Sequence, residues 1–200
     1  MGHKANPLRP LGVVTLALLC ERPMHPYEMY QLLIARGQDR TVKVRPGTLY
    51  HVVNWLESAG FVVATGTDRE GNRPERTTYA ITPEGRDALH CAVEFLLTDP
   101  QLEYPELTVA MGEAHNLAPE TVALLLRERV AALATRLAAG EVRLERAAAK
   151  ELPRRFVLGG EFALNRLRAD IDWLTSVIAD IESGAISWDT PIPIALKELT

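Results

Sequence analysis

The stretch "RPGTLYHVVNWLESAG", residues 45–60, decides how the first half of this 200-residue chain folds. Pro46 suits a first helical position and Gly60 supplies a C-terminal stop, so the spacing predicts a helix between them. At 100° per residue Leu49, Val52, Val53 and Leu56 share one arc, the face that packs on neighbouring helices. Gly47, His51, Asn54 and Ser58 then lie on the opposite side, with Thr48 and Tyr50 on its flanks. Several of these are groups that can contact DNA: Asn can pair bidentately with adenine, Thr and His can hydrogen-bond, the methyl of Thr can touch thymine and Tyr can bond a phosphate. Gly47 leaves backbone N–H groups open to a phosphate at the positive end of the helix dipole. Taken alone, such a face is more often plain solvated surface.

The flanking sequence changes that balance. Upstream, "LGVVTLALLCE" (11–21) is apolar nearly all round, as a central helix of a small domain is, and it stops at Arg22-Pro23. A second helix starts near Pro26 and runs through "YEMYQLLIAR" to Gly37. Downstream, "FVVATGT" (61–67) and "TTYAIT" (77–82) are β-prone runs joined by the turn-rich "DREGNRPER", a hairpin pattern. Thr82-Pro83 offers an N-cap and a first-turn proline for a fourth helix, "EGRDALHCAVEFLL", with Glu84 favourable against its dipole. Three helices followed by a hairpin is the order of a winged helix-turn-helix. Arg40, Lys43 and Arg45 precede the third helix, and Arg69, Arg73 and Arg76 lie in or beside the hairpin loop. They offer the charge that neutralises a phosphate backbone, although Asp68, Glu70 and Glu75 partly cancel it. A polar helix face followed by a basic wing is the arrangement in which the helix enters the major groove and the wing tracks the backbone.

Charge is divided along the chain. The formal net charge is −4, but residues 1–90 carry 11 Lys and Arg against 9 Asp and Glu, while residues 91–200 carry 11 against 17. Any part that meets an anionic polymer is the first. Prolines 100 and 105 bracket a break, and the rest is strand-free and rich in Ala, Leu, Glu and Arg. In its last helix Leu164, Leu167, Ile171, Leu174, Ile178 and Ile181 recur at alternating spacings of three and four, a heptad seam. The preceding helix, about Pro119 to Lys150, has a looser row through Val122, Leu126, Val130, Leu133, Leu137 and Leu144, interrupted by Gly140. Joined at Pro153, the two form an antiparallel hairpin that packs on itself or on a second copy. With a reading helix upstream, the seam is expected at a dimer interface. The fold class expected is mainly α with a small β-hairpin: a winged helix-turn-helix DNA-binding domain over 1–98, then an α-helical dimerisation and effector domain over 99–200.

The remaining composition excludes other classes. A hydrophobic fraction of 47% with 24% charged residues is that of a globular protein with a real core. No apolar run approaches the roughly 18 residues of a membrane span, and the start lacks a signal-peptide pattern, so no membrane association and a cytoplasmic location are expected. Cys20 and Cys91 fall in helix-like apolar stretches with no second ligand pair nearby, which predicts buried reduced thiols rather than a disulfide or a zinc site. There is no nucleotide-binding glycine motif and no HExxH, and His90-Cys91 with Glu94 is too sparse for a metal. His25, His51, His90 and His115 have no nucleophile or acidic partner at motif spacing. The expectation is a protein that is not an enzyme and holds no metal or other cofactor.

At this level of detail the chain resembles the PadR family of bacterial transcriptional regulators. The resemblance covers residues 11–90 most clearly, through "HPYEMYQLL", "RPGTLYHVVNWLESAGFV" and "RTTYAITPEGRDAL". It departs at Pro26, where the family usually has glycine, and in "GNRPERTTY", where a more basic wing is common. The helical tail is similar to that of the C-terminally extended branch, in which it mediates dimerisation. The resemblance implies a homodimeric repressor, nucleoid-associated when bound to double-stranded DNA at a palindromic operator, and released by a small-molecule effector, often phenolic or drug-like. It implies recognition-helix contacts from Thr48, Tyr50, His51 and Asn54, and places Tyr27 near the DNA backbone. Trp55 is expected to pack, and Trp173 to sit at the edge of an interface. The competing readings are a winged-helix protein-interaction module and a dimeric regulator of another winged-helix family.

Overall fold

The computed structural model describes residues 8–68, 76–100 and 103–188. The chain divides into two compact units, Met1–Leu102 and Glu103–Thr200. In the first unit the elements run α1 (Pro10–Glu21), α2 (Pro26–Ala35), α3 (Pro46–Ser58), β1 (Val62–Asp68), β2 (Arg76–Ile81) and α4 (Pro83–Thr98). All four helices carry proline in their first turn, where the missing N–H removes no intrahelical bond. Gly37 after α2 and Gly60 after α3 have φ of +70° and +76°, the left-handed conformation that ends a helix cheaply only at glycine. Thr82 caps α4 by accepting from the Gly85 amide at 3.0 Å.

The hairpin is antiparallel, pairing Val62 with Ile81 and Ala64 with Tyr79, with a register irregularity between Ala64 and Gly66. Its tip, residues 69–75, lies outside the described residues, and so do Arg69, Arg73 and the side chain of Arg76. The segment between α1 and α2 joins the same sheet. Met24 and Tyr79 exchange N–H···O=C bonds of 3.0 Å in both directions.

The core of this unit is built where the four helices and β-strands converge: Leu16, Met29, Leu49, Val53 and Leu56 are fully buried, joined by Val62 and Tyr79 from the hairpin and Leu89 and Ala92 from α4. Each large side chain contributes about 1.5–3 kcal/mol by leaving water. Thr15, buried and polar, donates to the Leu11 carbonyl at 2.7 Å and costs no unmade bond. Gly85 explains why the turn into α4 reads "EGR". A Cβ there would stand 2.1 Å from the Phe61 carbonyl oxygen, so only glycine lets α4 begin against the entry to β1.

Both cysteines are exposed, contrary to the sequence expectation. α1 buries Leu16, Leu18 and Leu19, and Cys20 falls on its remaining outer side. α4 buries Gly85, Leu89 and Ala92, which leaves Cys91 facing out. An apolar helix at the periphery of a small domain has a covered side and an open one, and composition does not distinguish them.

The second unit comprises α5 (Glu106–Gly112), α6 (Pro119–Ala149) and α7 (Leu158–Glu182). α6 and α7 run antiparallel, as the pairing of Arg127 with Glu182 at one end and of Glu141 with Arg168 further along requires. Val122, Ala123, Leu126 and Leu133 of α6 bury against Leu174, Ile178 and Ile181 of α7, with Leu167 and Ile171 half-buried beside them. Leu164 is buried over Gly140, where an added Cβ would lie 2.3 Å from a leucine methyl. The heptad seam therefore finds its partner within the chain. Of the row Leu164, Leu167, Ile171, Leu174, Ile178 and Ile181, expected at a dimer interface, four are buried within the hairpin and Leu167 and Ile171 keep part of their surface open. The interruption at Gly140 is the seat of Leu164.

Candidate nucleic-acid interface

α3 is held from behind and open in front. Leu49, Val53 and Leu56 are fully buried and Val52 half-buried, so the helix cannot rotate without emptying the core. Gly47, Thr48, Tyr50, His51 and Asn54 are all exposed along the side turned away from it. The helical wheel and the fold thus agree on which side is free. Ser58 is turned back, its hydroxyl donating to the Trp55 carbonyl. Trp55 is 44% exposed, with its ring edge-on to Phe61 at 6.0 Å, so it packs with only part of its surface.

The start of α3 differs from those of α2 and α4. His25 and Thr82 cap the latter two with side chains, and each has a glutamate in its first turn, Glu28 and Glu84. α3 has no side-chain cap and no acidic residue in its first turn. Its N-terminal amides and positive dipole end are left for an outside acceptor. Arg40, Lys43 and Arg45 are exposed beside this end, and none has a carboxylate partner among the described residues. Two other arginines of the unit are already engaged. Arg36 binds both carboxylate oxygens of Glu21, and Arg22 binds Glu28. The hydrogen bond from Arg36 holds the Glu21 carboxyl below its ordinary range, and that from Arg22 does the same for Glu28. Among the described residues, Arg40, Lys43 and Arg45 thus put three unpaired cations within six residues before α3, while Arg9 and Arg86 stand exposed and unpaired singly at the starts of α1 and α4.

Two residues that sequence reasoning passed over frame this face. Tyr79 is buried, and burial followed by the neighbouring Glu57 carboxylate pushes its phenol above its ordinary range, so β2 and the end of α3 share a contact. His25 caps α2 through Nδ1, which accepts from the Tyr27 amide at 3.1 Å, and its ring stands edge-on to Tyr50 at 6.1 Å. The capping role was legible only as a histidine before Pro26; the contact with α3 was not legible at all. Tyr27 is 47% exposed at the start of α2.

Among the described residues no three His, Cys, Asp or Glu side chains gather where they would hold a metal ion, and no helix is long and apolar enough to cross a membrane.

A three-helix core with a recognition-type helix and an antiparallel wing defines a winged helix-turn-helix protein. Residues 15–91 match the model of the transcriptional regulator PadR-like family. No curated protein matches the chain. Among solved structures, PadR of Bacillus subtilis in complex with operator DNA is 20% identical, with a TM-score of 0.73 over 88% of this chain and 99% of that one. The same protein in complex with p-coumaric acid is 17% identical, with a TM-score of 0.70 over 87% and 99%. A PadR-like transcriptional regulator from Bacillus cereus is 14% identical, with a TM-score of 0.64 over 86% and 98%. At such identities these are likenesses of fold, and they extend beyond residue 91 into the helical unit.

Proposed function

We propose that this chain is a sequence-specific DNA-binding transcriptional regulator that acts in the cytoplasm as a homodimeric repressor and releases a palindromic operator when a small molecule binds. The observation that carries the reading is the start of α3: exposed Thr48, Tyr50, His51 and Asn54 on a core-locked helix, an uncapped acid-free N-terminus, and Arg40, Lys43 and Arg45 unpaired beside it. Sequence choice is assigned to the four polar side chains, and attraction to the cations together with Arg69, Arg73 and Arg76 of the wing. Tyr27 is assigned to the DNA backbone. The likeness to a fold that holds operator DNA in one structure and p-coumaric acid in another supports both the DNA and the effector parts of the reading.

Dimerisation is assigned to the helical unit but not to its heptad seam, which is largely filled from within. Leu124, Phe156, Phe162 and Trp173 leave 53–64% of their surface exposed on α6, α7 and the turn between them, apolar area that a monomer has no use for. The test is a mobility shift on duplexes selected from random sequence by the purified protein. Asn54→Ala should relax preference at one position per half-site, costing on the order of 1–3 kcal/mol there. Arg40→Ala should weaken binding to all duplexes alike and lower the salt slope by about one. A protein that selects no sequence and binds no duplex even at low salt sinks the reading.

A further inference from the structure

His25 lies outside the group of side chains assigned to DNA, yet three independent constraints hold it against one of them. The residue before it, Met24, is pinned to β2 by the paired backbone bonds with Tyr79. The residue after it, Pro26, is buried at the first position of α2. Its own Nδ1 accepts from the Tyr27 amide at 3.1 Å, which fixes the ring's torsion. The ring so fixed meets the Tyr50 ring edge-on, with centroids 6.1 Å apart and planes inclined at 73°, within the favoured range for aromatic pairs.

Tyr50 needs such a neighbour. It is 41% exposed on the flank of α3, and the Tyr50–His25 pair is the ring contact that the described residues provide for it. A free tyrosine there would sample several rotamers and lose that freedom on contact with DNA, lowering affinity for every operator that uses it. A ring held in one rotamer before binding avoids that loss.

We infer that His25 is a positioning residue for sequence recognition: capped onto the start of α2, it holds Tyr50 of α3 in its DNA-competent rotamer and so couples the two helices of the reading motif. The inference rests on the proposed DNA-binding function, and its test separates the two.

Three variants divide the roles of His25. Asn at this position keeps a side-chain cap but removes the ring; Phe keeps a ring but removes the cap; Tyr50→Ala removes the partner. Binding is measured on a duplex selected by the wild-type protein and on a scrambled duplex. His25→Asn should reduce the ratio of selected to scrambled affinity by a few-fold to about tenfold while leaving affinity for the scrambled duplex unchanged. His25→Phe should restore much of the ratio. His25→Asn combined with Tyr50→Ala should be no worse than Tyr50→Ala alone. Losses that multiply in the double variant overturn the inference. In the free protein, the Tyr50 ring resonances should shift and average in His25→Asn but not in a distant control such as His115→Asn. Unchanged Tyr50 resonances overturn the inference whether or not DNA is bound. A wild-type protein that selects no duplex, with Tyr50 resonances that do respond to His25, would instead overturn the function and leave the contact standing.

Discussion

The two units solve the same problem, hiding apolar helix faces, with very different surpluses. In the first, four helices and a hairpin share one core, and the side of α3 left open is polar apart from the aromatic rings of Tyr50 and Trp55. In the second, two long helices bury one seam against each other, and Leu124, Phe156, Phe162 and Trp173 remain more than half exposed. The difference teaches where each unit expects company. Along α3 the first shows hydrogen-bonding groups, as a surface that meets a solvated polymer does, while Leu96 and Leu97 near the end of α4 keep apolar surface open. The second shows apolar area, as a surface that meets another protein surface does.

The comparison breaks first at the hairpin seam. Leu174 has no exposed surface and is the most deeply buried residue of its cluster, so Leu174→Ala should cost about 2–5 kcal/mol. Monitored by calorimetry, the loss should fall on the helical unit while the winged unit keeps its hydrogen-exchange protection. Equal loss of protection in both units would show that they fold as one. Gly85→Ala tests the other unit. The new methyl meets a backbone oxygen, which cannot step aside as a side chain does, so α4 or the entry to β1 must move at about 1–3 kcal/mol. Duplex binding should fall with it, because the wing is anchored at that point.

A third substitution sharpens the contrast between the two glycines. At Gly140 the obstacle is the end of the Leu164 side chain, which has other rotamers, and alanine gains about 1 kcal/mol of helix propensity over glycine. Gly140→Ala should therefore shift the stability of the helical unit by less than Gly85→Ala shifts that of the winged unit. A larger effect at Gly140 would show that the hairpin is packed as tightly as the core. The smallest effect is electrostatic. Arg36 lowers the Glu21 carboxyl in the folded state, so the pair stabilises fully above the unfolded carboxylate range and loses its contribution as pH falls through the lowered folded value. Both side chains are nearly half exposed, which limits the gain to under about 1 kcal/mol. Glu21→Gln should flatten the acid limb of a pH–stability curve by that amount and leave its neutral and alkaline limbs parallel to wild type.

Much of the winged unit was legible before any coordinates. Pro10, Pro26, Pro46 and Pro83 mark helix starts, Gly37 and Gly60 mark ends, and the period of Leu49, Val52, Val53 and Leu56 identifies the buried side of α3 and so its open one. These signals are local: each depends on a residue's own backbone preferences or on the geometry of one helix. Exposure of Cys20 and Cys91 was not legible, because whether an apolar helix is covered on all sides depends on how many elements surround it.

What the sequence determined by itself is the order of elements and the face each helix keeps from water, since periodicity and turn chemistry act within a few residues. What only the tertiary structure decided is which surface meets which. A heptad row states that a partner exists, not whose it is, and the fold gave Leu174 and Ile178 a partner in the same chain. It also brought His25, at the start of one helix, against Tyr50 on another. No spacing encodes that meeting, because it arises from the crossing of two helices over a shared core.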